Sequence, residues 1–178
     1  PHPWSPMTDA EWSRLHPLVR PTTRGRPPAD LRRTWDAIFW IALSGRPWKD
    51  LPTHLGRPDT AHRALRRFFA DPRGAIRLLV AVGVHPHDPW IAMRYRISRA
   101  FRRVCRAVPL SLTLVAERLG LRDALPCEPH HLPQPHLSET ILRYKFLLPY
   151  AHRLPAFNRF IGIVHRMMAG NYRAWKTR

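Results

Sequence analysis

Residues 46–69 read RPWKDLPTHLGRPDTAHRALRRFF, and this stretch decides the fold class. Gly56 ends its first apolar run, and glycine closes a helix in the left-handed region at no steric cost. Asp59 or Thr60 is placed to accept the orphan N–H groups that open the next helix. There Ala61, Ala64, Leu65 and Phe68 recur at spacings of three and four, so they share a face. His62, Arg63, Arg66 and Arg67 fall largely on the other face. Pro52 confines the first helix to a short piece, restarting at Leu51-Pro52 and ending at Leu55. Two short helices joined by a tight turn, the second basic on its free face, are the sequence form of a helix-turn-helix. Double-stranded DNA is the ligand that such a face fits best.

Outward toward the N-terminus, Asp30 caps LRRTWDAIFWIAL, which Ser44-Gly45 closes. Leu31, Trp35, Ile38, Phe39 and Ala42 form one stripe, and Trp40, Ile41 and Leu43 widen it until the second half is apolar nearly all round. A helix of that kind is buried on most sides. Asp36 lies at spacings of four and three from Arg32 and Arg33 and reads as their structural partner. Before this helix, residues 21–28 form a turn-rich basic loop whose Arg24 and Arg26 are candidate phosphate donors, a solvated linker being the other reading. Earlier still, Thr8 and Glu11 make a capping box for a helix carrying Trp12 and Leu15 and expected to stop near Pro17. Residues 1–6 are expected to precede the natural start at Met7.

Outward toward the C-terminus, residues 71–74 break the chain, and the apolar run 75–82 is either a helix or a buried strand. Residues 88–108 read as a basic amphipathic helix with six arginines (Arg94, Arg96, Arg99, Arg102, Arg103, Arg106) and an apolar stripe of Ile97, Phe101, Val104, Cys105 and Val108. Such a helix suits nucleic acid, an anionic membrane surface or an acidic partner. A helix over 112–119, a proline-rich connector over 126–136 and helices over 138–148 and 156–169 follow. Phe157, Phe160, Ile161, Val164 and Met168 form the stripe of the last. Cys127, His130, His131 and His136 match no closed zinc spacing, so no metal or other cofactor is expected.

The 178 residues carry a net charge of +18 and a pI near 11.6, a surplus that attracts polyanions. Residues through Asp71 hold 12 basic and seven acidic side chains, and the remainder hold 18 and five, so most of the excess lies beyond the helix-turn-helix. Cys105 and Cys127, the only cysteines, suggest no disulfide framework, and a reducing cytoplasm (nucleoid-associated) is the expected location. No secretory signal is expected. Phe146 to Val164 is too interrupted by Arg153, Pro155, Asn158 and Arg159 to span a membrane.

The segments EWSRL (11–15) and RGRPPADLRRTWDAIFWIALSGRPWKDLPTHLGRPDTAHRALRRF (24–68) resemble the N-terminal domain of bacterial insertion-sequence transposases of the IS-four/IS-five group (insertion-element 402-like). The resemblance covers about residues 7–82 and rests on the combination of Glu11-Trp12, Arg24 to Pro27, Asp36 to Ile38, Trp40, Pro47-Trp48, Asp50 to Pro52, Gly56, Thr60, Arg63 and Arg66. It implies a small helical DNA-binding module ahead of a ribonuclease-H-type catalytic domain, in which two aspartates and a glutamate hold divalent metals. Beyond residue 84 this chain departs from that pattern. Its acidic residues after position 72 are Asp88, Glu117, Asp123, Glu128 and Glu139, none in a strand context that brings carboxylates together.

The expectation is therefore an all-α protein, a small helical bundle containing a helix-turn-helix followed by a basic helical C-terminal region, divided into residues 7–84 and 85–178. It binds double-stranded DNA, such as the ends of an insertion element, through Arg24, Arg26, Lys49, Arg57, Thr60, His62, Arg63, Arg66 and Arg67, without catalytic residues of its own. A homodimer is compatible with this. Two alternatives stand beside it: the N-terminal part of an active transposase whose catalytic domain is encoded elsewhere, and a membrane-surface or protein-interaction module built on the helices from residue 89.

Overall fold

The computed structural model describes residues 4–20, 30–84, 90–134, 137, 143 and 155–171, the side chain of residue 158 excepted. Every regular element among them is helical: α1 (Asp9–Val19), α2 (Leu31–Ser44), α3 (Pro58–Ala70), α4 (Pro72–Val84), α5 (Trp90–Arg102), α6 (Leu110–Arg118) and α7 (Pro155–Ala169). Single 3-10 turns lie at Trp48–Asp50, Thr53–Leu55, Arg122–Ala124 and Pro129–His131. None of the described helices is long and apolar enough to cross a membrane. The helix expected over 138–148 lies outside the described residues, apart from residue 143.

Helix α2 forms because Asp30 accepts the N–H of Arg33 at its start, while Gly45, at φ 70°, donates its own N–H to Ile41 and turns the chain away. Its residues 34–39 and 41–43 are all buried, as an all-round apolar helix requires. The covers are α3, α5 and the turn at Thr53–Leu55. Helix α4 resolves the ambiguity of 75–82 in favour of helix. Asp71 accepts the N–H groups of Arg73 and Gly74, Pro72 sits at the first helical position, and Ala75, Leu78, Leu79 and Val82 face inward. Gly83 lets α4 approach α6 closely, since a Cβ there would lie 2.9 Å from the Cβ of Leu119.

Two sequence expectations shift here. Helix α1 runs through Pro17 to Val19: the proline forfeits the N–H bond to the carbonyl of Ser13, and the burial of Leu15 and Val19 on either side of it offsets that loss. The chain also divides into compact units at 125/126 rather than near 84, Pro1–Leu125 and Pro126–Arg178. The physical reason is α5, whose Met93, Ile97, Ala100 and Phe101 are fully buried and which packs on both α2 and α4. The ring of Phe101 meets that of Phe69 edge-on at 5.2 Å. The first unit thus holds 22 basic and ten acidic residues, most of the protein's positive excess. In the second unit, α7 buries Val164, half-buries Phe157, Ile161 and Met168, and ends at Gly170 with φ 64°.

A polar clasp ties α1, α2 and α5 together. Asp36 accepts the backbone N–H of Met7 at 2.9 Å, Arg32 donates to the carbonyl of Met7 and to Asp9, and buried Glu11 completes the capping box on Thr8. Arg96 of α5 reaches in, 3.7 Å from Glu11, and donates to Ser5 at 2.9 Å. Asp36 therefore serves residue 7 across the fold rather than Arg33 along its own helix. Burial raises its carboxyl pKa, while the Met7 N–H, Arg32 and Arg96 pull the other way.

Two outcomes follow from this packing. A fragment of residues 1–84 should lose its cooperative melt and bind a hydrophobic dye, whereas residues 1–125 should melt as one unit; equal cooperativity would show that α5 and α6 are dispensable. The raised pKa of Asp36 means that its contribution to stability is complete below the unfolded carboxylate value and is lost as pH rises through the folded one. Asp36→Asn keeps an acceptor for Met7 and should raise the urea midpoint at pH 7, the advantage closing below pH ~4. A difference that widens on acidification would mean that Arg32 and Arg96 outweigh burial.

Candidate nucleic-acid interface

Helix α3 begins at Pro58 with Arg57 as a cap residue whose side chain makes no capping bond. The expected cap at Asp59 or Thr60 is displaced by two or three residues, because proline is pre-organised for the first helical position. Asp59 instead lies in the first turn, where its charge complements the helix dipole. The inward face is Ala61, Leu65 and Phe69, one residue per turn, with Phe68 edge-on to Trp35 at 5.4 Å and to Phe69 at 5.0 Å. These aromatic contacts fix the rotation of α3 about its axis. The opposite face then carries Thr60, Arg63, Arg66 and Arg67, all exposed, and the three arginines have no ion-pair partner among the described residues.

The segment entering α3 is pinned by buried Leu51 and Leu55. The short helix expected up to Leu55 takes the form of two 3-10 turns, since Pro47 and Pro52 each interrupt backbone bonding. Gly56 is not left-handed as expected but stands at φ 107°, ψ −162°, a region open essentially to glycine alone. Arg33 of α2 leans over this turn and donates to the carbonyl of Thr53 at 3.5 Å. Lys49 and Arg57 are exposed on the same segment.

Trp48 is the hub of this region. Half-buried, it lies 5.0 Å from the ring of His62, and the guanidinium of Arg103 sits 5.8 Å from its ring centroid. Arg103 also donates to the carbonyl of Arg46 at 3.0 Å. Partial burial, and then the like charge of Arg99, lower the Arg103 pKa from its ordinary value. His62 is thus packed against Trp48 rather than standing free on the helix surface.

Of the residues named from sequence, Lys49, Arg57, Thr60, His62, Arg63, Arg66 and Arg67 gather on α3 and the segment leading into it. Arg24 and Arg26 lie outside the described residues. Sequence reasoning left out Arg33, Arg46 and Trp48, and it gave Arg99 and Arg103 only as part of the basic helix over 88–108. The spacing of Arg99 and Arg103 was visible, but nothing local tied Arg103 to Trp48, more than 50 positions away. The six arginines expected to form one basic face also divide: Arg94 donates to the carbonyl of Gly120, and Arg96 serves the clasp.

Among the described residues no group of three or more His, Cys, Asp or Glu side chains could hold a metal ion. The rings of His130 and His131 lie 4.0 Å apart at a tilt of 55°, and no third ligand joins them among the described residues. The carboxylates with defined contacts serve the fold: Asp9 and Glu11 in ion pairs, Asp30 and Asp71 as helix caps, Asp36 on Met7.

Residues 7–72 match the model of a family described as "Putative transposase of IS4/5 family". The chain is also similar to the "Uncharacterized protein y4sN" of Sinorhizobium fredii (strain NBRC 101917 / NGR234), 30% identical over 104 residues that cover 57% of this chain and 82% of that protein. No solved structure matches significantly.

Trp48→Ala removes both the His62 contact and the perch of Arg103. The expected cost is about 1–2 kcal/mol in urea unfolding, the sum of one aromatic pair and one cation–π contact. Trp48→Phe should recover most of it. Unchanged stability in Trp48→Ala would mean that the segment 46–50 is held by Leu51 and Leu55 alone.

Proposed function

We propose, for a chain that belongs to the IS4/5 transposase-related family, that it binds double-stranded DNA by laying the outer face of α3 in the major groove. One observation supports the reading: Arg63, Arg66 and Arg67 are exposed, with no ion-pair partner among the described residues, on a helix whose rotation is locked by its aromatic face. Cations held at fixed positions and left without counter-ions suit a rigid polyanion. Arg63, in the second turn, is suited to reach base edges, and its guanidinium matches the paired acceptors of guanine. Thr60 and the N-terminus of α3, with Lys49 and Arg57 beside it, suit phosphates. Arg66 and Arg67, a turn further on, would follow the backbone. His62 contributes by positioning Trp48. In this reading α2 and α3 supply the two helices of a helix-turn-helix, with residues 45–57 as an elongated turn.

In this reading the described part of the chain acts on DNA by recognition. Asp9, Glu11, Asp30, Asp36 and Asp71 are engaged in ion pairs, caps and the clasp, and among the described residues no group of three or more His, Cys, Asp or Glu side chains could hold a metal ion. An insertion-element end is the ligand the family membership favours. Selection from a random duplex library should return a preferred site. Arg63→Ala should then weaken binding to it by about 1–3 kcal/mol and relax preference at one base pair. Equal loss on selected and random duplexes would reassign Arg63 to a phosphate. Failure of the natural chain to bind any duplex at moderate salt would remove the DNA reading itself.

A further inference from the structure

We infer that the C-terminal turn of α5, together with the segment 46–48, forms a second phosphate-binding surface that grips the backbone of the duplex read by α3; the inference rests on the DNA-binding function proposed above. Arg99, Arg102, Arg103 and Arg106 are spaced by three and four residues, so they line one side of the helix end and of the turn that continues it. That turn is held by the bonds from Arg103, Val104 and Cys105 back to Ala100 and Phe101, and buried Val104 and Cys105 anchor it. Its geometry is therefore fixed before any ligand arrives.

The electrostatics point to an anion. No carboxylate of the described residues lies within 4 Å of any of these four guanidinium groups. Partial burial first, and the like charge of Arg99 second, lower the Arg103 pKa, and the buried Nε of Arg99 has no hydrogen-bond partner among the described residues. Like charges held together without counter-ions are relieved by bound anions. Arg102, Arg103 and Arg106 remain exposed to receive one. One helical turn back, Arg94 and Arg96 are committed to Gly120, Ser5 and Glu11, so the free cationic surface stops there.

A nucleic-acid backbone is favoured over an isolated anion or an acidic peptide because the surface continues into α3. Arg103 bridges to Arg46 through a backbone carbonyl and to Trp48 through its ring, and Trp48 touches His62 on α3 itself. A repeating polyanion can run from one set of cations to the other, whereas a single anion occupies one set only.

The test is the salt dependence of duplex binding by the full chain. Arg102→Ala and Arg106→Ala remove exposed side chains that hold no ion pair among the described residues, so both variants should melt like the natural protein. Each arginine that touches a phosphate should, on removal, flatten the slope of log K against log salt by ~0.9, and the double variant by ~1.8, equally for selected and random duplexes. Arg122→Ala, exposed elsewhere on the same unit, should leave the slope unchanged. A double variant with the natural slope overturns the inference, even where Arg63→Ala weakens site binding and so upholds the DNA reading. A natural chain that binds no duplex overturns both. If the double variant no longer binds vesicles of anionic phospholipid while its duplex binding is intact, the inference is overturned as well.

Discussion

From residue 34 to residue 43, helix α2 leaves only Trp40 partly exposed. Ile38, Phe39 and Ile41 are at most 1% exposed and Trp35 is at 2%, which leaves the helix soluble only when other elements surround it. The elements gathered around it are the ones that carry the candidate interface. Helix α3 covers one side through Phe68 on Trp35, and α5 covers another while its Phe101 meets Phe69 of α3. Burying one apolar helix therefore sets the position of every arginine on α3 and of those at the end of α5. A substitution in α2 is consequently expected to reach the charged surface without touching it.

The same constraint explains which features were legible in the sequence. The helices, the cap at Asp30, the capping box at Thr8 and the stop at Gly45 depend on residues within four positions of one another, and local chemistry decides them. The all-helical class and the cationic face of α3 follow from the same short-range spacings. The entry segment was harder. Pro52 signalled an interrupted helix, but whether Leu51 and Leu55 close one short helix or two 3-10 turns depends on how they seat against α2 and α3. Gly56 was correctly singled out as a special backbone position, yet its φ of 107° belongs to the extended side of glycine's range.

What the sequence concealed was long-range. The arginine run from 94 to 106 looked like a separate basic tail because periodicity places residues on a face without saying what that face meets. Arg96 points into a clasp with Glu11, and Arg103 reaches a carbonyl 57 residues earlier. The domain boundary moved for the same reason: Met93, Ile97 and Phe101 resemble the stripe of any amphipathic helix, and only their burial against α2 and α4 makes α5 part of the first unit. Once it belongs there, the charge excess belongs there too.

The preference for arginine over lysine then acquires a physical meaning at particular positions. Only Lys49, Lys145 and Lys176 are lysines among the 30 basic residues, and composition alone cannot separate nucleotide bias from function. At Arg32, Arg96 and Arg103 the guanidinium performs tasks an ammonium cannot combine. Arg32 divides its fork between a carboxylate and a carbonyl, Arg96 serves a hydroxyl beside a buried glutamate, and Arg103 lies over a ring while donating to a carbonyl. These three hold the fold together. Arg63, Arg66, Arg67, Arg102 and Arg106 have no such task among the described residues, and a charged side chain that the fold does not use remains available to a ligand. The structure thus sorts by contact what the composition could only count: Arg32, Arg96 and Arg103 are engaged by the fold, whereas Arg63, Arg66 and Arg67 on α3 and Arg102 and Arg106 at the end of α5 stay exposed with no ion pair among the described residues.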